Sequence, residues 1–172
     1  EFIFAQSVLY DDYTQAMDLF DSASLEKGNR KIQGDSLYIQ FDDSLINRVS
    51  VVGNAYSFND VNAKISKVSN LYKFMDVMSS KQMVADFEGQ DVTRVKMEGM
   101  ASAFYNVVED TLLKGYNDVS GDTVLLSFDN DVLNRMEVFG GCRGSFVPEG
   151  NNSSIDSTIV YKADVIDYRI DE

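Results

Sequence analysis

One stretch of sequence recurs three times along this chain in the same internal register, and this repetition limits the folds that the chain can adopt. The three copies span residues 34–55, 80–101 and 121–142. Each copy has a phenylalanine at the same place, at positions 41, 87 and 128, so that successive copies are 46 and then 41 residues apart. A period near 40 residues is typical of stacked supersecondary units that cannot bury their apolar faces alone.

Within each copy, apolar and polar residues alternate on both sides of a turn sequence, which is Asp129-Asn130-Asp131 in the third copy. Alternation with a period of two indicates strands with one buried face, and Asp and Asn side chains favour turns because they hydrogen-bond to nearby backbone. We therefore predict one β-hairpin per copy. The side chains predicted to share its apolar face are Leu37, Ile39, Phe41, Val49, Val51, Met83, Phe87, Val95, Met97, Val124, Leu126, Phe128, Met136 and Val138.

Three further columns repeat with the hairpins. A glycine follows the return strand in every copy, at positions 53, 99 and 140, and we expect it to close the unit. Arg48, Arg94 and Arg135 fall on the face opposite the apolar side chains, where pairing with acids such as Asp86 and Glu137 is one interpretation and binding of an anionic head group is the other. Cys142 occupies the position of Ala55 and Ala101 and is predicted to be a small packed residue.

The remaining segments are predicted to extend the same stack as one domain. Residues 1–24 form a degenerate unit in which 13–20 favours strand over helix, and the repeats cover about 25–70, 71–111 and 112–153. Each repeat is expected to contain an incoming strand and a turn, at Gly28-Asn29 and Tyr116-Asn117, before its hairpin. Residues 57–69 carry the length difference and are predicted to form an exposed loop.

A further unit is expected to begin in residues 154–172. There Ile166, Tyr168 and Ile170 take the places of the first three apolar positions of the hairpin. The fold class predicted from these patterns is all-β, an elongated antiparallel stack of 41–46-residue repeats.

Composition excludes several functions. The net charge of −13 disfavours nucleic acid and anionic membrane surfaces as partners. The chain has no histidine, no phosphate-binding glycine loop and one cysteine, so we expect no catalytic residues, no cofactor, no metal site and no intrachain disulfide. Adventitious Ca²⁺ at Asp129-Asn130-Asp131 is a weaker alternative, because the Gly and Glu of a calcium loop are out of place. The chain begins inside a strand-like pattern without Met, so we expect a mature or trimmed fragment.

The repeated pattern, in which Gly-Asp opens an alternating strand and a Val-rich strand ends in Gly-x-Ala, resembles the OstA-like repeat of the LptA family. This is the repeat of the periplasmic bridge of lipopolysaccharide transport and of the N-terminal domain of LptD. The resemblance is carried by residues 5–10, 34–55, 121–142 and 163–168, with 80–101 a weaker copy. It implies a β-jellyroll, or β-taco, in which the antiparallel strands fold into a V.

The resemblance also implies a function. The apolar side chains of the hairpins would form a groove for the acyl chains of lipopolysaccharide or another lipid, and the stack would associate head to tail or with other bridge components in the periplasm, alone or as a domain of an outer-membrane protein. From the residues alone, the favoured interpretation is a closed core without a lipid ligand, as in a structural or adhesin-type repeat domain. A third hypothesis is a carbohydrate-binding solenoid using exposed aromatics such as Tyr38 and Tyr56.

Overall fold

The computed structural model describes residues 2–130, 132–150 and 154–169, and these residues form one antiparallel sheet of ten strands. The strands are β1 Phe2–Phe4, β2 Ser7–Asp11, β3 Ala16–Lys27, β4 Arg30–Asp42, β5 Leu45–Ala63, β6 Tyr72–Glu88, β7 Asp91–Glu109, β8 Leu112–Asp129, β9 Val132–Pro148 and β10 Ile159–Arg169. From β3 to β10 the strands pair in sequence order, while β1 and β2 lie end to end along the free edge of β3. The predicted all-β antiparallel fold is confirmed, and no helix in the described part of the chain could span a membrane.

A line of β-bulges crosses the sheet near the middle of its long strands. The register between neighbours shifts at 52–55 on β5, at 98–101 on β7 and at 120–123 on β8. The backbone takes positive φ at Gly53, Gly99 and Gly140 and at the residue after each. A bulge bends its strand, so bulges aligned across the sheet form a crease, and the sheet folds there into two facing arms.

We name the arms by the segments they contain. The anchor arm carries the three repeated phenylalanines and consists of residues 7–20, 36–52, 82–98, 123–139 and 165–169. The lead-in arm consists of residues 2–4, 23–33, 55–63, 72–79, 101–120, 142–148 and 159–163. The sheet is not closed into a barrel, because β10 does not pair with β1 or β2 in the described part of the chain.

The sequence predicted the ends of the hairpins wrongly. The repeated glycines do not close the unit, because β5, β7 and β9 continue past them to Ala63, Glu109 and Pro148. Likewise, Tyr116-Asn117 is not a turn but lies inside β8, whereas Gly28-Asn29 does connect β3 to β4. The physical reason is that a two-residue bulge interrupts the pairing, while apolar and polar residues alternate in the same phase on both sides of it. In the sequence, one bent strand therefore resembles two strands separated by a turn.

Of the remaining predictions for loops and turns, one changes. Residues 57–63 belong to β5, so the connection that carries the extra length is shorter than predicted and covers 64–71. Residues 13–20 adopt the favoured strand from Ala16 onward. The turn after Asp129 is confirmed, with Asn130 Nδ2 donating to Asp129 Oδ1 at 3.0 Å, while Asp131 lies outside the described residues.

The apolar face of the anchor arm is built from two straight rows of cross-strand neighbours, one residue from each strand. The first row is Ile39, Val49, Ala85, Val95, Leu126, Met136 and Tyr168. The second row is Leu37, Val51, Met83, Met97, Val124, Val138 and Ile166. These rows confirm the register read from the repeats, including the places predicted for Ile166 and Tyr168. Ile170 lies outside the described residues.

The core lies between the arms close to the crease. Leu19, Ala23, Ala55, Ala101 and Val119 join the two rows there, and each is at most 1% exposed. Small residues on the lead-in arm let the arms approach closely at this point. Cys142 is packed as predicted, with its Sγ 3.1 Å from the carbonyl oxygen of Val138.

Candidate binding site

Away from the crease, the two arms diverge and leave a cavity of about 520 Å³ between their free ends. The wall on the anchor arm is mostly apolar. It consists of Ile46, Ala85, Phe87, Val92, Val95, Phe128 and Leu133, together with Gln90 and Tyr168. The lead-in arm contributes Leu25, Ile32, Met78, Tyr105 and Val107. The volume lies within the range of roughly 300–1,000 Å³ that is usual for small-molecule sites.

The structure describes all fourteen groove candidates from the sequence, and they fall into three groups. Phe87, Val95 and Phe128 line the cavity. Phe41 is half-buried and packs against the core. The other ten are buried in the packed region next to the crease, and they are Leu37, Ile39, Val49, Val51, Met83, Met97, Val124, Leu126, Met136 and Val138. Phe87 and Phe128 lie near the end of the arm that is far from the crease, where the space between the arms widens. Val95 lies in the same row as the buried Leu126 and borders the cavity from there.

A row of polar side chains crosses the inner face of the lead-in arm beside the cavity. Its members are neighbours on successive strands: Lys27, Arg30, Asn59, Asp76, Tyr105 and Asn117. All except Asn117 line the cavity. One step closer to the crease, the corresponding row is mostly apolar and consists of Leu25, Ile32, Ser57, Met78, Ala103 and Val119. The cavity is therefore amphipathic, and most of its polar side chains lie on the lead-in arm.

Asp76 is the acidic centre of this row. Its Oδ1 accepts hydrogen bonds from the backbone N and from Nδ2 of Asn106, both at 2.8 Å, and its Oδ2 is 3.4 Å from Asn59 Nδ2. Asn59 Oδ1 in turn accepts from Asn29 Nδ2 at 3.1 Å. Burial raises the pKa of the Asp76 carboxyl above its ordinary value, although the hydrogen bonds from Asn106 and Asn59 oppose the shift.

Tyr105 and Asn117 continue the polar row on the next two strands. Asn117 Nδ2 donates to the Tyr105 hydroxyl oxygen at 2.9 Å, and both residues are buried. Burial, together with the nearby hydroxyls of Tyr168 and Tyr161, raises the pKa of Tyr105, so the phenol stays neutral throughout the ordinary pH range. Tyr168 lies on the anchor arm and also lines the cavity, so tyrosines from both arms border this part of the cavity.

A hydrogen bond links the arms at the other end of the cavity. Lys27 Nζ, at the end of β3, donates to the carbonyl oxygen of Gln90 at 2.9 Å. Gln90 lies in the turn between β6 and β7, at the free end of the anchor arm. The bond therefore spans the opening between the arms and helps to set the width of the cavity.

Sequence reasoning missed the polar contribution of Asn59, Asp76 and Asn106. The first two could have been found, because period-two alternation places Asn59 in phase with Ala55 and Ser57, and Asp76 in phase with Met78. Asn106 is out of phase with its inward-facing neighbours Tyr105 and Val107, and nothing in the alternation indicates it. It reaches Asp76 from the adjacent strand.

The repeated arginines lie on the outer face, where acidic partners hold two of them. Arg48 Nε is 2.6 Å from Asp86 Oδ1. Arg135 donates to both carboxylate oxygens of Asp167, at 2.9 and 3.0 Å, and its guanidinium is 2.9 Å from Glu137. The hydrogen bond from Arg135 lowers the pKa of Asp167. These contacts support the first of the two interpretations, in which the arginines pair with acids.

The aromatic residues of the carbohydrate hypothesis do not form one surface. Tyr38 lies on the anchor arm and Tyr56 on the lead-in arm, and both are partly exposed on the outer face. Tyr56 stacks with Phe58 at a centroid distance of 6.0 Å. In the described ranges, no three His, Cys, Asp or Glu side chains are grouped so that they could hold a metal ion.

Comparison with known proteins gives a match in structure alone. No family model matches the sequence, and no curated protein sequence is significantly similar to it. Among solved structures, the chain is similar to LptH from Pseudomonas aeruginosa, described as the LptA homologous periplasmic component of the conserved lipopolysaccharide transport device. The alignment covers 94% of this chain and 92% of LptH, with a TM-score of 0.54 and 13% identity. The chain therefore has the β-jellyroll fold of this LptA homologue, as the resemblance of its repeats to the LptA family implied.

Proposed function

We propose that this protein is a periplasmic carrier that shelters an acyl chain between the two arms of its folded sheet. The observation that carries the proposal is the cavity, which has a continuous apolar wall on the anchor arm and lies at the mouth of a fold shared with LptH. Transfer of each methylene group from water to an apolar site contributes about 0.8 kcal/mol. An acyl chain placed along Phe87, Val95 and Phe128 would therefore gain affinity in proportion to its buried length.

The ten buried groove candidates contribute in a different way. Because they fill the space next to the crease, they hold the arms at a fixed angle and set the depth to which a chain can enter. In this proposal they form the rigid floor of the site, and the acyl chain contacts the side chains farther out. Lipopolysaccharide is the first ligand to test, because the structurally similar LptH belongs to a lipopolysaccharide transport device.

The two ends of the sheet suit assembly into a longer bridge. Within the described residues, the outer edges of β1, β2 and β10 have no partner strand. Leu9 on β2 and Val160 on β10 are 61% and 69% exposed. An unpaired strand edge is a template for another strand, so head-to-tail pairing of copies, or pairing with other bridge components, would extend the cavity along the assembly.

The proposal is tested by photo-crosslinking from inside the cavity. A photoreactive phenylalanine analogue replaces Phe128 in delipidated protein, which is then mixed with lipopolysaccharide and irradiated. The matched control is the same analogue at Tyr116, which lies on the same strand and faces outward. We expect lipid adducts at position 128 and few at 116. Equal labelling, or none, would overturn the proposal and favour the alternative of a structural repeat domain without a lipid ligand.

A further inference from the structure

We propose that the polar row selects the head group of the ligand, and that the cavity takes a single-chain amphiphile with an uncharged, hydroxyl-bearing head hydrogen-bonded to Asp76. The inference rests on the proposed function, because it assumes that an acyl chain occupies the apolar wall. It goes beyond that function by naming the chemical class of the ligand and the residue that recognises it.

The hydrogen bonds of Asp76 leave room for a ligand donor. An ionised carboxylate offers about four acceptor sites. In this protein Oδ1 receives two well-formed bonds from Asn106, whereas the contact of Oδ2 with Asn59 is long, at 3.4 Å. Asp76 lines the cavity, so a donor on the ligand can reach the less occupied oxygen. The amides of Asn59 and Asn106, which also line the cavity, offer both donors and acceptors beside it.

The charged side chains of the polar row limit the kind of head group that can bind beside Asp76. An anionic head group at this position would meet the Asp76 carboxylate in a chain of net charge −13. A cationic head group would share the row with Lys27 and Arg30, which are neighbours on β3 and β4. Hydroxyl groups donate and accept without either repulsion. At Asp76, which Asn59 separates from Arg30 along the row, a hydroxyl-bearing head therefore fits better than a carboxylate or a phosphate, and Lys27 and Arg30 disfavour an amine.

Size restricts the apolar part of the ligand. A cavity of about 520 Å³ encloses one small ligand, and the core closes the space toward the crease, where Leu37, Met97 and Val138 are at most 2% exposed. A lipid with several acyl chains would leave most of them outside. One chain lying along the anchor arm, with its head against the lead-in arm, matches the amphipathic walls of the cavity.

The test is calorimetric titration of the delipidated full chain with three ligands that share a twelve-carbon chain: 1-dodecanoyl glycerol, dodecanoate and methyl dodecanoate. We expect the glycerol ester to bind about tenfold more tightly than the other two, which is the size of effect given by one hydrogen bond to a charged group. The variant Asp76→Ala should remove this preference while methyl dodecanoate binds as before. Asp118→Asn, on the outer face of the same arm, is the matched control and should keep it.

The outcomes separate the two proposals. If all three ligands bind equally, if dodecanoate binds best, or if the preference survives in Asp76→Ala, head-group selection by Asp76 is wrong while acyl binding stands. If none of the ligands binds, the carrier function itself fails. The comparison among ligands in the unaltered protein decides the matter even if Asp76→Ala does not fold.

Discussion

The crease of the sheet depends on single residues whose backbone takes a left-handed conformation. Gly140 and Gly141 are adjacent in β9, with φ of +79° and +60°. A Cβ atom added to Gly140 would collide with the carboxyl group of Asp122 on β8, whereas one added to Gly141 would have no neighbour within 4 Å. The two positions thus separate the effect of backbone conformation from the effect of crowding.

We predict that Gly140→Ala destabilises the protein more than Gly141→Ala does. Left-handed backbone costs a residue with a Cβ roughly 1–2 kcal/mol, and this applies to both variants. Crowding against Asp122 adds about 1–3 kcal/mol to Gly140→Ala alone. Urea unfolding of both variants measures the difference, and equal midpoints would show that the crease tolerates a side chain at position 140.

Asp76 gives a second prediction at the scale of one residue. Burial raises its pKa in the folded state, whereas the unfolded chain has the ordinary value of about 3.9. The folded protein therefore holds this proton more firmly, and wild-type stability relative to Asp76→Asn should decline as the pH rises from about 4 through the raised pKa and stay constant above it. Urea unfolding of both proteins across this pH range provides the measurement. A difference that is independent of pH would contradict it.

At the scale of the elements, each long strand contributes to both the core and the cavity. Strand β8 shows this division within a few residues. Val124 and Leu126 are at most 1% exposed between the arms, while Phe128, two residues farther from the crease, is half-buried and lines the cavity. Alternation gives all three residues the same face, and only the widening gap between the arms gives them different environments.

Substitutions on β8 should therefore separate stability from binding. Leu126→Ala leaves an internal void and should lower the free energy of unfolding by about 2–5 kcal/mol. Phe128→Ala should lower it by less, because the removed ring borders a space that is already present. Acyl-ligand affinity should show the opposite order, measured by calorimetry on the folded variants. A loss of affinity in Leu126→Ala as large as in Phe128→Ala would argue against this division of the strand.

At the scale of the whole molecule, the open ends of the sheet determine how copies associate. We predict that the double variant Leu9→Lys and Val160→Lys weakens head-to-tail association, because lysine on an edge strand opposes pairing with a second sheet. Sedimentation velocity over a range of protein concentrations measures this. The control is Val68→Lys, which changes an even more exposed apolar residue in the 64–71 loop. If the double variant and the control associate alike, the edges are not the contact surface.

The amino-acid sequence by itself determined that the repeats form strands, which face of each strand is apolar, and the register between the hairpins. Alternation is a local property of the chain, and the recurrence of Phe41, Phe87 and Phe128 aligns units that are distant in sequence. The rows that contain Leu126 and Val124 follow directly from this alignment. The same pattern also predicted the position of Cys142 in a column of small residues.

Only the tertiary structure decided where the strands bend and which residues face an empty space. The repeated glycines, predicted to close each unit, lie at bulges instead, because the strands continue to pair with their neighbours beyond the crease. The polar row brings Lys27, Asn59 and Asp76 together from three separate strands. Alternation specifies which face a side chain occupies but not its distance from the opposite arm, and that distance distinguishes core from cavity.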